Sequence, residues 1–262
     1  MQFVYDEMKQ NISKEIKNAI ENRVIKLLNE YFDLSKGYLE RIQFVSTNFF
    51  NNNVAAVAEP ANRLIILNFD DWMQVVENNY SDIHEEYRSV ANTLLHEYVH
   101  LENYYHDLLG YMEYINKQGT DAVINIALNI LVDEYIATYR SGKFMFSKNE
   151  IHKILPSMCE CVSQNRGKKD IQLFGQVLQS LAIGIAYDCL VQEREGISQV
   201  VQDTDKDEVI EYKELILGVR NILIKFEKSR KLELTETLKE YVEELCEIFG
   251  MDRMYRLRLG HV

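Results

Sequence analysis

The chain has 262 residues, of which 47% are hydrophobic and 27% charged, proportions typical of an ordinary globular protein with a sizeable core. Its 41 acidic residues outnumber its 29 basic ones, which gives a formal net charge of −12 at pH 7. This charge repels nucleic-acid phosphates and anionic lipid surfaces, so the composition argues against a nucleic-acid-binding protein.

The N-terminal segment and the cysteines predict a cytoplasmic protein. Residues 1–20 contain acidic side chains and no apolar core, unlike a signal peptide. The apolar run closest to a membrane span, Ala122–Val132, is interrupted by Asn125 and Asn129 and is shorter than the roughly 18 residues that a span requires. Four cysteines are too few for a disulfide framework in a chain of this length. We therefore expect reduced thiols and no membrane partner, and the sequence leaves the oligomeric state open.

In chain order, the first part of the sequence is predicted to mix helix and strand. Apolar residues recur near every fourth position over Met8–Phe32, which predicts a helix. Three β-like runs follow, at Arg41–Ser46, Val54–Ala58 and Arg63–Phe69, and the turn Glu59–Asn62 joins the last two as a hairpin. The continuous apolar run within the third predicts a strand covered on both faces.

The remainder is predicted to be helical. One long helix is expected over Glu85–Leu109 and another over Thr120–Tyr139. Three more are expected at residues 170–194, 206–228 and 234–249, after a linker at 165–169. The predicted fold class is therefore α+β, with a first domain at 1–165 and a helical C-terminal region at 170–262 that can pack with it as one unit.

His96, Glu97 and His100 form an HExxH motif in the first of these long helices. Residues four apart lie on the same face of a helix, so the two imidazoles can bind one tetrahedral Zn²⁺. Glu97 is too close to be a good third ligand and is predicted to take a proton from a water in the open coordination position. The alternative is a helix face with two metal-free surface histidines. Uncompensated polar groups would be costly among the apolar neighbours of the motif, Leu94, Leu95, Val99 and Leu101.

Glu134 is the preferred candidate for the third ligand. It lies on the following helix beside the apolar residues Ile130 and Leu131, where a carboxylate requires a partner. The alternative is an ordinary charged residue at the edge of an amphipathic helix. Its neighbour Asp133 is expected either to orient a histidine from outside the ligand shell or to be solvated.

His106 is the rival third ligand. The residues from His96 to His106 have the spacing of the metzincin motif, with Asn103 at the position of its glycine. Metzincins break the helix at that glycine, and Asn tolerates a left-handed conformation better than most residues. The helical pattern nevertheless continues past Asn103, which would carry His106 to a different face.

Residues from about Val54 to Arg140 resemble the zincin (HExxH) metallopeptidases, in a gluzincin-like form nearest to the ImmA/IrrE-like type. The resemblance rests on the order of a hairpin, the HExxH helix with Arg88 eight residues before its first histidine, and a Glu-x-x-Ala element from Glu134 to Ala137. The chain departs from that family at Val99, where a small glycine is usual, and after the Glu-x-x-Ala element, where an apolar-proline stretch is usual.

The resemblance implies a small zincin-like sheet followed by the HExxH active helix. It also implies a zinc ion bound by two histidines and a glutamate, with the motif glutamate as general base; in this chain these are His96, His100, Glu134 and Glu97. The expected function is a zinc-dependent metallopeptidase that hydrolyses peptide bonds of a peptide or protein by glutamate-assisted attack of a zinc-bound water.

The expected mechanism also requires a strand that aligns the substrate and a donor that stabilises the oxyanion. The strand Arg63–Asn68 is expected to be an edge strand that aligns the substrate. Four side chains can supply the oxyanion donor: Tyr135, Tyr139, Arg140 and His152.

Two other functions stay open. The main alternative is a catalytically silent zincin-fold module with a regulatory or protein-binding role. The other is a structural zinc site, which would require a closed four-ligand shell that adds His106 to the three predicted ligands.

Overall fold

The computed structural model of the chain describes residues 1–6, 12–50, 55–106, 122–145, 154–196, 198, 212–229 and 232–251. These residues form a small sheet near the N-terminus and then a succession of long helices. The predicted α+β class with a mostly helical C-terminal half is confirmed at this level. Candidate residue His152 lies outside the described residues.

The sheet has four strands in the order β1-β2-β4-β3, with β1 at Gln2–Tyr5, β2 at Arg41–Val45, β3 at Ala56–Glu59 and β4 at Leu64–Asn68. β2 pairs in parallel with β1 and with β4, whereas β3 pairs with β4 in the antiparallel sense. The predicted hairpin is therefore confirmed. Every residue of β4 is buried, as its continuous apolar run predicted. The prediction that β4 is an edge strand is wrong, because its hairpin partner β3 occupies that edge.

Three helices accompany the sheet: α1 at Lys14–Tyr31, α2 at Phe69–Glu77 and α3 at Glu85–His106. The Ser13 side chain caps α1, and the Asn68 side chain caps α2 directly after β4. The sequence analysis did not predict β1 or α2. α3 packs on β3 and β4, so the HExxH helix lies against the hairpin.

The later part of the chain contains α4 at Ala122–Phe144, α5 at Ile154–Gln164, α6 at Ile171–Glu195, α7 at Lys213–Ser229 and α8 at Leu232–Ile248. α6, α7 and α8 correspond to the three predicted C-terminal helices, whereas α5 was not predicted. α4 continues past its predicted end at Tyr139 and through Gly142 to Phe144, since a single glycine costs a helix only about 1 kcal/mol.

Two compact units are present. The first comprises the described residues of Met1–His106 and Arg140–Glu150, and the second those of Asp107–Tyr139 and Ile151–Val262. The first contains the sheet with α1 to α3, and in the second α6 packs against α5 and α7 while α7 packs against α8. The domain boundary expected at residues 165–170 stays a prediction.

A buried ion pair lies in the second unit. Arg220 Nε and Asp188 Oδ2 are 2.7 Å apart, and their side chains are only 6% and 0% exposed. The same Asp188 oxygen accepts the Ser198 hydroxyl at 2.8 Å, and Arg220 also donates to Gln192 Oε1 at 2.6 Å. Both charges therefore have partners inside the unit.

α4 and α6 are long and apolar enough to span a membrane by length and composition. In each helix 67% of the most apolar window is buried within the structure, as is also found for core helices of soluble proteins. Membrane association and cellular location therefore stay predictions.

Candidate metal centre

The two motif histidines meet on one face of α3. Their rings lie edge to face, with centroids 4.6 Å apart and an interplanar angle of 83°. Their Nε2 atoms are 2.9 Å apart. Two imidazoles bound to one tetrahedral Zn²⁺ at about 2.0–2.1 Å hold their nitrogens little more than about 3 Å apart. The pair therefore has nearly the separation that a shared metal ion requires.

Apolar packing fixes the opposite side of α3. Leu94, Leu95, Tyr98, Val99 and Leu101 are each 0% exposed, whereas the two histidines are only half-buried. This alternation anchors the helix in the core and leaves the imidazoles accessible at its margin.

Glu97 is held by β3, the outermost strand of the sheet. Asn68 N–H donates to Ala55 O over 3.0 Å, which sets the alternation of the antiparallel ladder. Ala56 and Ala58 therefore direct their N–H and C=O groups away from β4. The outward N–H of Ala58 donates to Glu97 Oε2 over 2.6 Å. One backbone contact thus places the predicted base beside both the histidines and the edge strand β3.

Glu134 lies in α4 and is half-buried. Its Oε1 accepts a hydrogen bond from Gln179 Nε2 on α6 over 3.0 Å. His96, His100 and Glu134 each offer one ligand atom, and these atoms all lie within 4.8 Å of one another. Two imidazoles and one carboxylate form a donor set used by catalytic zinc sites, which keep the fourth position open. The chemistry of the three residues therefore fits Zn²⁺.

The rival ligand His106 does not belong to this group among the described residues. α3 continues through Asn103 without a break, as the apolar pattern predicted. His106 is exposed, and its Nε2 lies 3.2 Å from the Tyr38 hydroxyl. A metzincin-like arrangement would require the helix to turn at Asn103, and it does not.

The oxyanion candidates that the structure describes have other partners. The hydroxyl of Tyr135 donates to Cys189 Sγ over 3.8 Å, and that of Tyr139 donates to Glu193. Burial is the largest cause that raises the pKa of both tyrosines. Arg140 forms an ion pair with Glu102 at 2.7 Å. Asp133 is half-buried on α4 and has an interaction partner, and its role stays a prediction.

Two residues near the centre were missed from the sequence. Asn92 lies one helical turn before His96, and that spacing alone could have drawn attention to it. Ala58 gave no such signal, because its role depends on a backbone group and on the register of the hairpin.

Protein-family models, curated proteins and solved structures give no match to this chain. The resemblance to zincins therefore rests on the motif, the order of the elements and the chemistry of the ligands.

Proposed function

We propose that this protein is a zinc-dependent metallopeptidase in which His96, His100 and Glu134 bind the metal and Glu97 is the general base. The observation that carries the proposal is the convergence of the three ligand atoms within 4.8 Å of one another. This donor set leaves one coordination position for water or substrate, unlike a four-ligand structural site.

The position of Glu97 supports its proposed role as the general base. A bound zinc ion would act as a Lewis acid toward water and the scissile carbonyl. Glu97 lies on the same helix as the two histidines, and its carboxylate is oriented by Ala58 N–H. It would accept a proton from the attacking water and donate it to the departing amine, which restores the carboxylate at the end of the cycle.

The edge strand β3 supports an extended peptide as the substrate. The outward N–H of Ala56 and the outward C=O groups of Ala56 and Ala58 can pair with a substrate backbone as an added strand, whereas the N–H of Ala58 is bound to Glu97. This assigns to β3 the alignment role that the sequence analysis gave to β4. Within β3, Val57 is exposed, Ala58 and Glu59 are half-buried, and Ala56 is buried.

Zinc content and peptide cleavage test the proposal together. We expect the purified wild type to bind one zinc per chain and to cleave members of a mixed peptide library. Glu97→Gln should retain zinc and lose cleavage by at least about 100-fold, at the lower end of what acid–base catalysis contributes. His96→Gln should lose both. His84→Gln is the matched control, because His84 lies directly before α3 and accepts the Ser81 N–H.

The outcomes separate the proposed enzyme from its alternatives. Zinc binding without any cleavage by the wild type would favour the catalytically silent module. A wild type that binds no zinc would overturn the metal site itself.

A further inference from the structure

The C-terminal end of α4 is bound by a side chain of the HExxH helix. In the amide orientation that gives both of its polar atoms suitable partners, Asn92 Nδ2 lies 2.9 Å from Ser141 Oγ, 3.3 Å from Ser141 O and 3.2 Å from Met145 O. The opposite orientation would set the amide oxygen against two carbonyl oxygens, so the first is the favoured one. Ser141 is 0% exposed, so water does not replace this donor.

The contact adds a side-chain donor at the end of α4. Ser141 O accepts the Met145 N–H over 2.8 Å, and Asn92 supplies a further donor to this last turn. Asn92 supplies two N–H donors to the three acceptors around it. Because the acceptors lie at different heights along α4, they restrict both the rotation and the translation of that helix end.

Asn92 and Ser141 each lie on the same helix face as predicted metal ligands. Asn92 precedes His96 by one turn on the same face of α3. Ser141 follows Glu134 by seven residues, or about two turns, on the same face of α4. A shift of α4 at Ser141 is therefore passed along an unbroken helix to Glu134.

A second contact holds the same helix end. Arg140 Nη2 and Glu102 Oε2 are 2.7 Å apart, with side chains 29% and 11% exposed. Glu102 follows His100 in α3, whereas Asn92 precedes His96, so the two contacts bracket the HExxH motif in sequence.

We propose that Asn92 and Glu102 are positioning residues for the metal centre: they fix the register of α4 that presents Glu134 to the two histidines. The proposal rests on the proposed function, because it concerns affinity for the metal. Partners that orient ligands from outside the shell typically change metal affinity by 10- to 100-fold when they are replaced.

Asn92→Asp is the sharpest variant, because it keeps the shape of the side chain and replaces the donor by a charged acceptor. We expect the dissociation constant for Zn²⁺, measured by chelator competition, to rise about 10- to 100-fold. The absorption spectrum of the Co²⁺-loaded variant should shift toward that of Glu134→Gln. Asn129→Asp is the matched control, since Asn129 on α4 also donates to a backbone carbonyl, that of Asn125 in its own helix.

A double-mutant cycle distinguishes positioning from general destabilisation. If Asn92 acts through Glu134, Asn92→Asp should weaken zinc binding little further in the Glu134→Gln background. Independent effects would add. Glu102→Gln should also weaken zinc binding, and the exchange Glu102→Arg with Arg140→Glu should restore part of the loss. These two variants serve as the test if Asn92→Asp fails to fold, as judged by circular dichroism.

Each outcome has a defined meaning. Wild-type affinity in both Asn92→Asp and Glu102→Gln, or full additivity in the cycle, would overturn the positioning role while the metallopeptidase proposal stands. Failure of the wild type to bind zinc would overturn both.

Discussion

Ala58 on the edge strand β3 donates its backbone N–H to the carboxylate of Glu97 on α3 over 2.6 Å. This hydrogen bond joins the sheet to the predicted general base. It has a consequence for the reaction because catalytic groups lose rate steeply when they are misplaced, about 100-fold for an error of 1 Å in some cases.

Ala58→Pro should lower kcat while zinc binding is retained. The substitution removes the N–H that orients Glu97, and proline is tolerated on edge strands where the N–H is not part of the ladder. We expect kcat to fall about 10- to 100-fold. Ala56→Pro is the control, because it removes the other outward N–H of β3 and should raise KM instead. Equal effects of the two substitutions on kcat would contradict a specific role for Ala58.

The identity of the third ligand can be read from two substitutions. Glu134→Gln should weaken Zn²⁺ binding strongly, because an anionic ligand is replaced by a neutral amide. His106→Ala should leave the affinity within about twofold, since His106 is exposed and contacts Tyr38. Isothermal titration with Zn²⁺ measures both. The reverse pattern would establish His106 as the ligand.

Asp188→Asn should destabilise the second unit. The substitution removes the carboxylate that pairs with the buried Arg220 guanidinium. Breaking a buried ion pair typically lowers the free energy of unfolding by about 3–5 kcal/mol. Chemical denaturation followed by circular dichroism measures the change in the free energy of unfolding. Glu40→Gln, which removes one partner of the exposed pair with Arg63, should give a much smaller change. Similar changes in the two variants would show that burial of the ion pair does not matter.

Tyr98→Phe should stabilise the fold or leave it unchanged. Tyr98 is 0% exposed and stacks on Phe32 at 4.2 Å, and its hydroxyl has no hydrogen-bond partner among the described residues. Burying an unpaired polar group costs about 1–3 kcal/mol, which phenylalanine avoids. A loss of more than about 1 kcal/mol in thermal unfolding would indicate a partner for this hydroxyl.

The same residue predicts a dependence on alkaline pH. Burial is the largest cause that raises the pKa of Tyr98 to about 12, above its usual value near 10. Between these values the unfolded chain has released the proton that the folded chain retains, so Tyr98 lowers stability as the pH rises from 10 to 12. The stability of Tyr98→Phe should therefore fall less over this range than that of the wild type.

The sequence predicted what depends on local periodicity. The spacing of His96 and His100 needs only an α-helix, and the apolar run of β4 needs only burial on both faces. Helix α2 was missed because Phe69 reads as the end of a strand, whereas the Asn68 side chain begins a helix there. The local pattern of apolar and polar residues predicts neither which side chain caps a helix nor the order of strands in a sheet.

What could not be predicted depends on contacts between distant segments. The position of β3 at the edge of the sheet is set by the parallel pairing of β2 with β4. The contact of Ala58 with Glu97 joins residues 39 positions apart and depends on a backbone N–H that is common to almost every residue. The contact of Asn92 with Ser141 and Met145 likewise requires two helices to be packed in one register.

The hydrogen bond from the Ala58 N–H to Glu97 should also affect self-association of the protein. Open strand edges are templates on which a second chain can add by backbone pairing. In wild type, and in Glu97→Gln, whose amide oxygen can still accept, this position of β3 is capped. Glu97→Ala would uncover it. Inactive protein prepared with the alanine variant should therefore be more prone to dimers and aggregates than the glutamine variant, which makes glutamine the better choice for trapping a bound substrate.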